Sequence, residues 1–338
     1  MIDGGEANGY DMGVRLPIGR VKNLAEYAQP AGRIRSWARP IGIMLVLNGA
    51  TLWGVSGNAA QYLFDTQKIS AGWLTSVRML TAGFLLLVLM QCGKNRRQVW
   101  QIWQTRHSAA RVIIFGLVGM IGAQYTYFEA VAAGNAATAT LLQYLSPVLI
   151  LSFSIFILRK KPRVIEIAAM VIALLGVFFL VTKGHPNQLS IAPGAIIWGL
   201  LAALGGAIYA TQPASILKQF GPGVVVGWGM VIGGAAMSLF YPPWIFHGQW
   251  SMAAFIGIVF VILFGTLIAF YLYLASLSYL KPLETSMLGC AEPLSAALVS
   301  VVWLHVPFTL FDWLGALCII GTVVSLAFAQ KNVKNKRK

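Results

Sequence analysis

The chain has 338 residues, of which 58% are hydrophobic and only 10% charged, and its mean hydropathy is +0.73. A soluble domain carries about 45–50% apolar and about 25% charged residues, so the composition excludes a water-facing globular body and points to a chain whose solvent is lipid. The net charge of +15 reads as Lys and Arg gathered in cytoplasmic loops, not as a nucleic-acid surface, because no basic stripe sits on a soluble fold.

Residues 1–38 hold four acids, five bases, scattered Gly and Pro, and no apolar run. No apolar stretch follows a basic start, as a signal peptide needs. This segment therefore reads as a largely disordered cytoplasmic tail, with a short helical turn over 21–27. Apolar segments then follow at 41–63, 70–91, 110–132, 136–158, 164–182, 192–216, 223–246, 252–277, 284–304 and 310–329. Their apolar residues run continuously and do not alternate as barrel strands would. Each is about 19–26 residues, enough to cross about 30 Å of hydrocarbon at 1.5 Å per residue. The expected fold is an all-α integral membrane protein of ten transmembrane helices. A basic cytoplasmic tail, 330–338, closes the chain.

Orientation follows from the bases. With both termini inside, the cytoplasmic pieces carry 22 Lys and Arg and the outside loops carry only Lys68 and Lys183. That asymmetry places the chain as multi-pass in the cytoplasmic membrane with both termini cytoplasmic. Trp37, Trp73, Trp100, Trp244, Trp250 and Trp303 fall near segment ends, as an interfacial belt requires.

A shift of 146 residues lays one half on the other. Gly119 meets Gly265, Tyr125 and Tyr127 meet Tyr271 and Tyr273, Ser146-Pro147 meets Glu292-Pro293, and Glu166 meets Asp312. The halves are 39–182 and 192–329. Five helices per half is an odd number, so the halves insert in opposite directions. The basic run 159–163 aligns with 305–309, which holds no Lys or Arg. Inverted repeats of this kind characterise secondary transporters, whose site lies between the halves near mid-membrane.

Residues 119–182 and 265–329 resemble the two copies of the EamA domain of the drug/metabolite transporter superfamily. The likeness runs over 39–329. It rests on Trp53-Gly54, Arg78, the Tyr-rich third helix running into 136–142, Ser146-Pro147, Glu292-Pro293 and Gly176-Val177. It implies a ten-helix carrier of small metabolites, often exporting amino acids, with helices 1–4 and 6–9 lining a cavity and 5 and 10 outside. The family often carries Gly-Glu after its fourth and ninth helices. Here those Glu positions are Lys160 and Val306, so no role of that Glu is carried over.

Ionisable groups inside a membrane are costly and mark function by default. Three stand out: Arg78, Glu129 and Glu292. Glu292 sits eight residues into the ninth segment beside Pro293, which removes a backbone hydrogen bond. It reads as a proton or cation site on the pathway, or as a carboxyl that ties helices together. Arg78 reads as the holder of a substrate carboxylate, as half of a structural ion pair with Glu129, or as a side chain snorkelling to the interface. The remaining candidates for the pathway are Trp53, Asn58, Gln124, Tyr125, Gln143, Tyr209 and Tyr271, with Pro147 and Pro293 as hinges. Tyr125 and Tyr127 are about 200° apart on a helix, as are Tyr271 and Tyr273, so one of each pair faces inward. Packing through small and polar groups is the competing explanation for each. Glu166 and Asp312 open helices 5 and 10, where a carboxylate satisfies the helix N-terminus.

Cys92, Cys290 and Cys318 read as buried thiols, and neither they nor the four histidines show metal spacing. No cofactor, no metal and no enzyme motif is expected. The partners expected are the bilayer and a small-molecule substrate, with no nucleic acid. The sequence does not choose between a monomer and a homodimer. The function expected is export of small metabolites, amino acids first, by alternating access. A membrane-embedded enzyme and a receptor or assembly protein are the competing classes.

Overall fold

The computed structural model describes residues 38–335 except 94–95, 158, 160, 186–188, 247 and 281. The expected tail up to Trp37, with its turn over 21–27, and the last three residues of the basic C-terminal tail lie outside the described residues. Among the described residues every regular element is helical. By length and composition, seven helices can cross a membrane. They are α1 (Ala38–Asp65), α2 (Ala71–Cys92), α3 (Arg106–Ala133), α4 (Ala136–Phe156), α5 (Val164–Thr182), α6 (Pro193–Thr211) and α8 (Met252–Ser276). Three shorter apolar helices accompany them: α7 (Pro222–Met237), α9 (Ala291–Val302) and the Leu310–Leu326 part of α10 (Leu310–Asn335).

Local chemistry sets the starts. Ser70, Asn135 and Ser251 cap α2, α4 and α8 by accepting from the backbone N–H of Trp73, Thr138 and Ala254. Pro193 and Pro222 open α6 and α7, where a missing N–H costs nothing. α5 and α10 share one device. The Arg163 N–H donates to Glu166 at 2.8 Å, and the Thr309 N–H donates to Asp312 at 2.6 Å. Both carboxylates thus serve helix N-termini. Lys183 also reaches Asp312, at 3.5 Å.

The sequence pattern reads several of these helices as uninterrupted, and the structure does not. The segment expected over 223–246 ends at Met237, because Pro242 and Pro243 cannot continue it. The segment expected over 192–216 ends at Thr211, and Pro213 precedes a separate helix, Ala214–Phe220. α3 widens to a π-helix over Phe115–Met120, and α8 does so over Leu263–Ile268. α4 breaks between Ala136–Gln143 and Ser146–Phe156. The ninth segment breaks into Pro282–Leu288 and α9. Glu292 consequently lies in the first turn of α9, not eight residues into a continuous helix.

The helices pack in pairs: α2 on α7, α3 on α6, α5 on α10, and α1 against α8 and α9. α4 touches both α6 and α9. Small residues make the close approaches. A methyl on Gly205 of α6 would overlap the Gly122 backbone of α3, and one on Gly83 of α2 would lie 2.9 Å from the Val231 nitrogen of α7. The buried set is rich in alanine, while Phe84, Leu174, Phe156 and Leu317 point outward. Small residues inside and large apolar ones outside are what a lipid solvent selects, since lipid offers no hydrophobic drive to bury large side chains.

Candidate functional site

Two helix breaks build the site. Pro147 cannot donate to the Gln143 carbonyl one turn back, and Pro293 cannot donate to that of Gly289. Each freed oxygen needs another donor inside a membrane. Gln143 receives it locally, from the Ser146 hydroxyl at 2.6 Å. Glu292 takes the place of that serine in the other half, and a carboxylate cannot make the same bond. The Gly289 oxygen instead accepts from the Tyr144 hydroxyl of α4 at 2.8 Å, and from the Glu292 N–H at 2.9 Å. Tyr144 also lies 3.1 Å from a Glu292 carboxylate oxygen. The two breaks therefore meet, and the carboxylate is free to face the space between them.

Aromatic rings surround it. Tyr273 of α8 lies near Glu292, and Trp53 of α1 packs at a tilt against Tyr273 with centroids 5.0 Å apart and edge-to-face against Phe270 at 4.9 Å. Tyr209 of α6 faces Tyr273 and packs 5.4 Å from Phe115, in the π-segment of α3. Tyr127 donates to or accepts from Thr140 at 3.0 Å. Cys290 is buried beside the break. Glu292, Tyr144, Tyr209, Tyr273 and Trp53 are each only half-buried, although they lie deep in the bundle.

Arg78 and Gln124 form a second polar group. An Nη of Arg78 donates to Gln124 Oε1, and the guanidinium lies 4.0 Å over the Phe128 ring. The expected Arg78–Glu129 ion pair is not formed: among the described residues no carboxylate lies within 4 Å of Arg78. Glu129 has Tyr125, one turn away on α3, as its polar neighbour. A side chain on Phe128's face of α3 and one at 129 point about 100° apart, which separates the two charges.

The other sequence candidates divide by position. Trp53, Tyr209 and Glu292 come together at the breaks. Asn58 is fully buried; its amide donates to the Gly54 and Ala296 carbonyls at 3.0 Å each and accepts from Ser300 at 2.6 Å. It ties α1 to α9. Gln143 donates to the Ala123 carbonyl at 3.0 Å and ties α4 to α3. Tyr125 meets Tyr241 at 3.0 Å, away from Glu292. Tyr271 is 54% exposed and faces outward. The inward member of each tyrosine pair is thus Tyr127 or Tyr273. Sequence reasoning missed Tyr144; its signal was the orphan carbonyl that Pro293 leaves on Gly289. Of two outer cavities, one of about 360 Å³ opens beside Pro147, Lys161 and Glu166, apart from the tyrosine cluster.

An apolar helical bundle that crosses the membrane many times, with a polar centre at two broken helices, is the architecture of a membrane transporter. The profile of the EamA-like transporter family matches residues 40–182 and again 193–328, and the chain belongs to that family. It is 36% identical over 286 residues to an uncharacterized inner membrane transporter of Salmonella typhimurium, YicL, spanning 85% of this chain and 95% of that one. It is 26% identical over 200 residues to the aromatic amino acid exporter YddG of Ancylobacter novellus, over 55% of this chain and 63% of that one. A crystal structure only 20% identical aligns with a TM-score of 0.56 over 86% of this chain and 98% of that chain, which carries the fold alone.

Proposed function

We propose that the protein is a secondary transporter of ten spans in two inverted five-helix halves, 39–182 and 192–329, with both tails cytoplasmic. In this reading it exports small metabolites, amino acids first, by alternating access around Glu292. The observation that carries the reading is the meeting of two broken helices at equivalent positions, with Tyr144 of one satisfying Gly289 of the other. Exchanging the halves also preserves the packing pattern. α2–α7, α5–α10 and α4–α9 map onto themselves, α1–α8 maps onto α6–α3, and α1–α9 onto α6–α4. The π-segments at Phe115–Met120 and Leu263–Ile268 exchange as well. A site on such an axis is made by both halves and is exposed to either side as they rock.

Amino acids come first for two reasons. The site pairs a carboxylate with aromatic walls, which suits an ammonium group, and a distant relative is named an aromatic amino acid exporter. Proteoliposomes loaded with mixed amino acids and small metabolites test the proposal. A few solutes should leave faster than from protein-free vesicles, with Glu292→Gln removing the dependence on pH. No solute leaving under gradients of either sign, proton gradient included, would sink it. Product formed without net flux would favour a membrane-embedded enzyme, and a co-purifying partner without flux a receptor or assembly protein.

A further inference from the structure

Arg78 occupies the eighth of 22 positions in α2, far from either end, and is 5% exposed. Its side chain is buried against Gln124 and Phe128, and leaving a cation without a counter-charge in a membrane is costly. Yet it has none among the described residues. Gln124 is a neutral acceptor for Nη2, the Nη that shares an edge with Nε and carries a second proton, and Phe128 covers the guanidinium face. The Nε is buried with no hydrogen-bond partner. A guanidinium presents its Nε and Nη donors along one edge in the spacing of a carboxylate's two oxygens. An acid at 124 would have neutralised Arg78 and closed that edge. A glutamine orients the group and leaves its charge unspent. Tyr127 is close enough to feel both Arg78 and Glu292, and among the described residues Glu292 likewise has no cation within 4 Å. Arg78 and Glu292 are thus both without an ionic partner among the described residues.

We propose that the Nε–Nη edge of Arg78 receives the carboxylate of the transported solute, with Gln124 as its positioning residue. The inference rests on the transporter reading above and narrows its substrate class to carboxylate-bearing amino acids, as against the corresponding amines and amides. Arg78→Lys is not conservative here, because an ammonium keeps the charge but loses the two-point edge.

The test measures binding and efflux of L-phenylalanine and L-leucine against their carboxamides, which differ only in the charged end. The wild type should prefer the acids by about tenfold or more, the worth of a charge-assisted hydrogen-bonded pair. Arg78→Gln should bring that ratio near one, and Arg78→Lys should fall between. Gln124→Glu keeps the arginine but supplies an internal carboxylate, so it should weaken the acids more than the amides while raising the melting temperature. If the arginine variants unfold, Gln124→Glu alone decides. Equal handling of acid and amide by the wild type, equal losses for both in Arg78→Gln, or undiminished preference in Gln124→Glu would each overturn the proposal and leave the transporter reading standing. A wild type that moves neither acid nor amide in this or the mixed-solute assay would overturn both.

Discussion

The Tyr144 hydroxyl lies 2.8 Å from the Gly289 carbonyl oxygen and 3.1 Å from a Glu292 carboxylate oxygen. It has one proton and two acceptors. When Glu292 is protonated, its own O–H donates to Tyr144, and Tyr144 donates to Gly289; all three are satisfied. When Glu292 is ionised, the carboxylate draws the tyrosine proton, and Gly289 keeps only the Glu292 N–H. Charge on Glu292 is thereby linked to the bond that joins the two broken helices.

Tyr144→Phe should separate these roles. The bond to Gly289 disappears, which costs about 1 kcal/mol of stability, and the carboxylate loses its partner. Efflux should fall, and its dependence on pH should shift. A pH profile identical to that of the wild type would show that Tyr144 only packs.

Asn58 should behave in the opposite way. Its amide spends both donors on Gly54 and Ala296 and accepts from Ser300, and it is fully buried, so a solute does not reach it. Asn58→Ala leaves the Ser300 hydroxyl and the Ala296 carbonyl without that partner. Interhelical hydrogen bonds in membranes average about 0.6 kcal/mol each, so the loss should come to about 1–2 kcal/mol in thermal or denaturant unfolding. Solute preference should be unchanged in the fraction that folds.

What the residues reveal before folding and what they hide divide along one physical line. Composition and local caps are properties of short stretches, so the membrane class and the capping roles of Glu166 and Asp312 were legible. Helix phase is not. Tyr125 and Tyr127 look alike until α6 and α7 are placed, and Tyr271 looked as eligible as Tyr273. Asn58 seemed a pathway residue because an amide in a membrane must bond to something; only the position of α9 shows that Ala296 and Ser300 supply the partners. The Arg78–Glu129 pair failed for the same reason, since adjacency in sequence to Phe128 does not bring the 129 carboxylate to the arginine. The π-segments left no trace, because their hydrogen-bond shift is set by packing.

The two tyrosine pairs give a paired control. Tyr273 carries Trp53 at 5.0 Å and faces Glu292, whereas Tyr271 is 54% exposed on the outer face. Tyr273→Ala removes a wall of the site and the support of Trp53, so efflux should fall severalfold or more. Tyr271→Ala should change stability by no more than about 0.5 kcal/mol, as surface substitutions do, and leave efflux intact. Equal effects at both positions, measured on matched amounts of folded protein, would mean that α8 is rotated from the arrangement described.

Gly54 sets how closely α1 approaches the break. A methyl group there would lie 2.5 Å from the Glu292 carbonyl oxygen and 2.8 Å from the Ala296 nitrogen. These are backbone atoms at the start of α9 and cannot swing aside. Gly54→Ala must push the helices apart, lengthen the Asn58–Ala296 bond next to it, and move Trp53 relative to Glu292. Overpacking of this kind costs about 1–3 kcal/mol, and it should cost transport more than stability, because the displaced atoms hold the site. Gly57 offers the contrast. Its added methyl would meet the Tyr127 hydroxyl, the far end of a side chain that can turn, at the expense of the Thr140 bond. Gly57→Ala should therefore keep more activity than Gly54→Ala when efflux is compared at equal folded protein. The reverse order would place the critical approach at α3 rather than at α9.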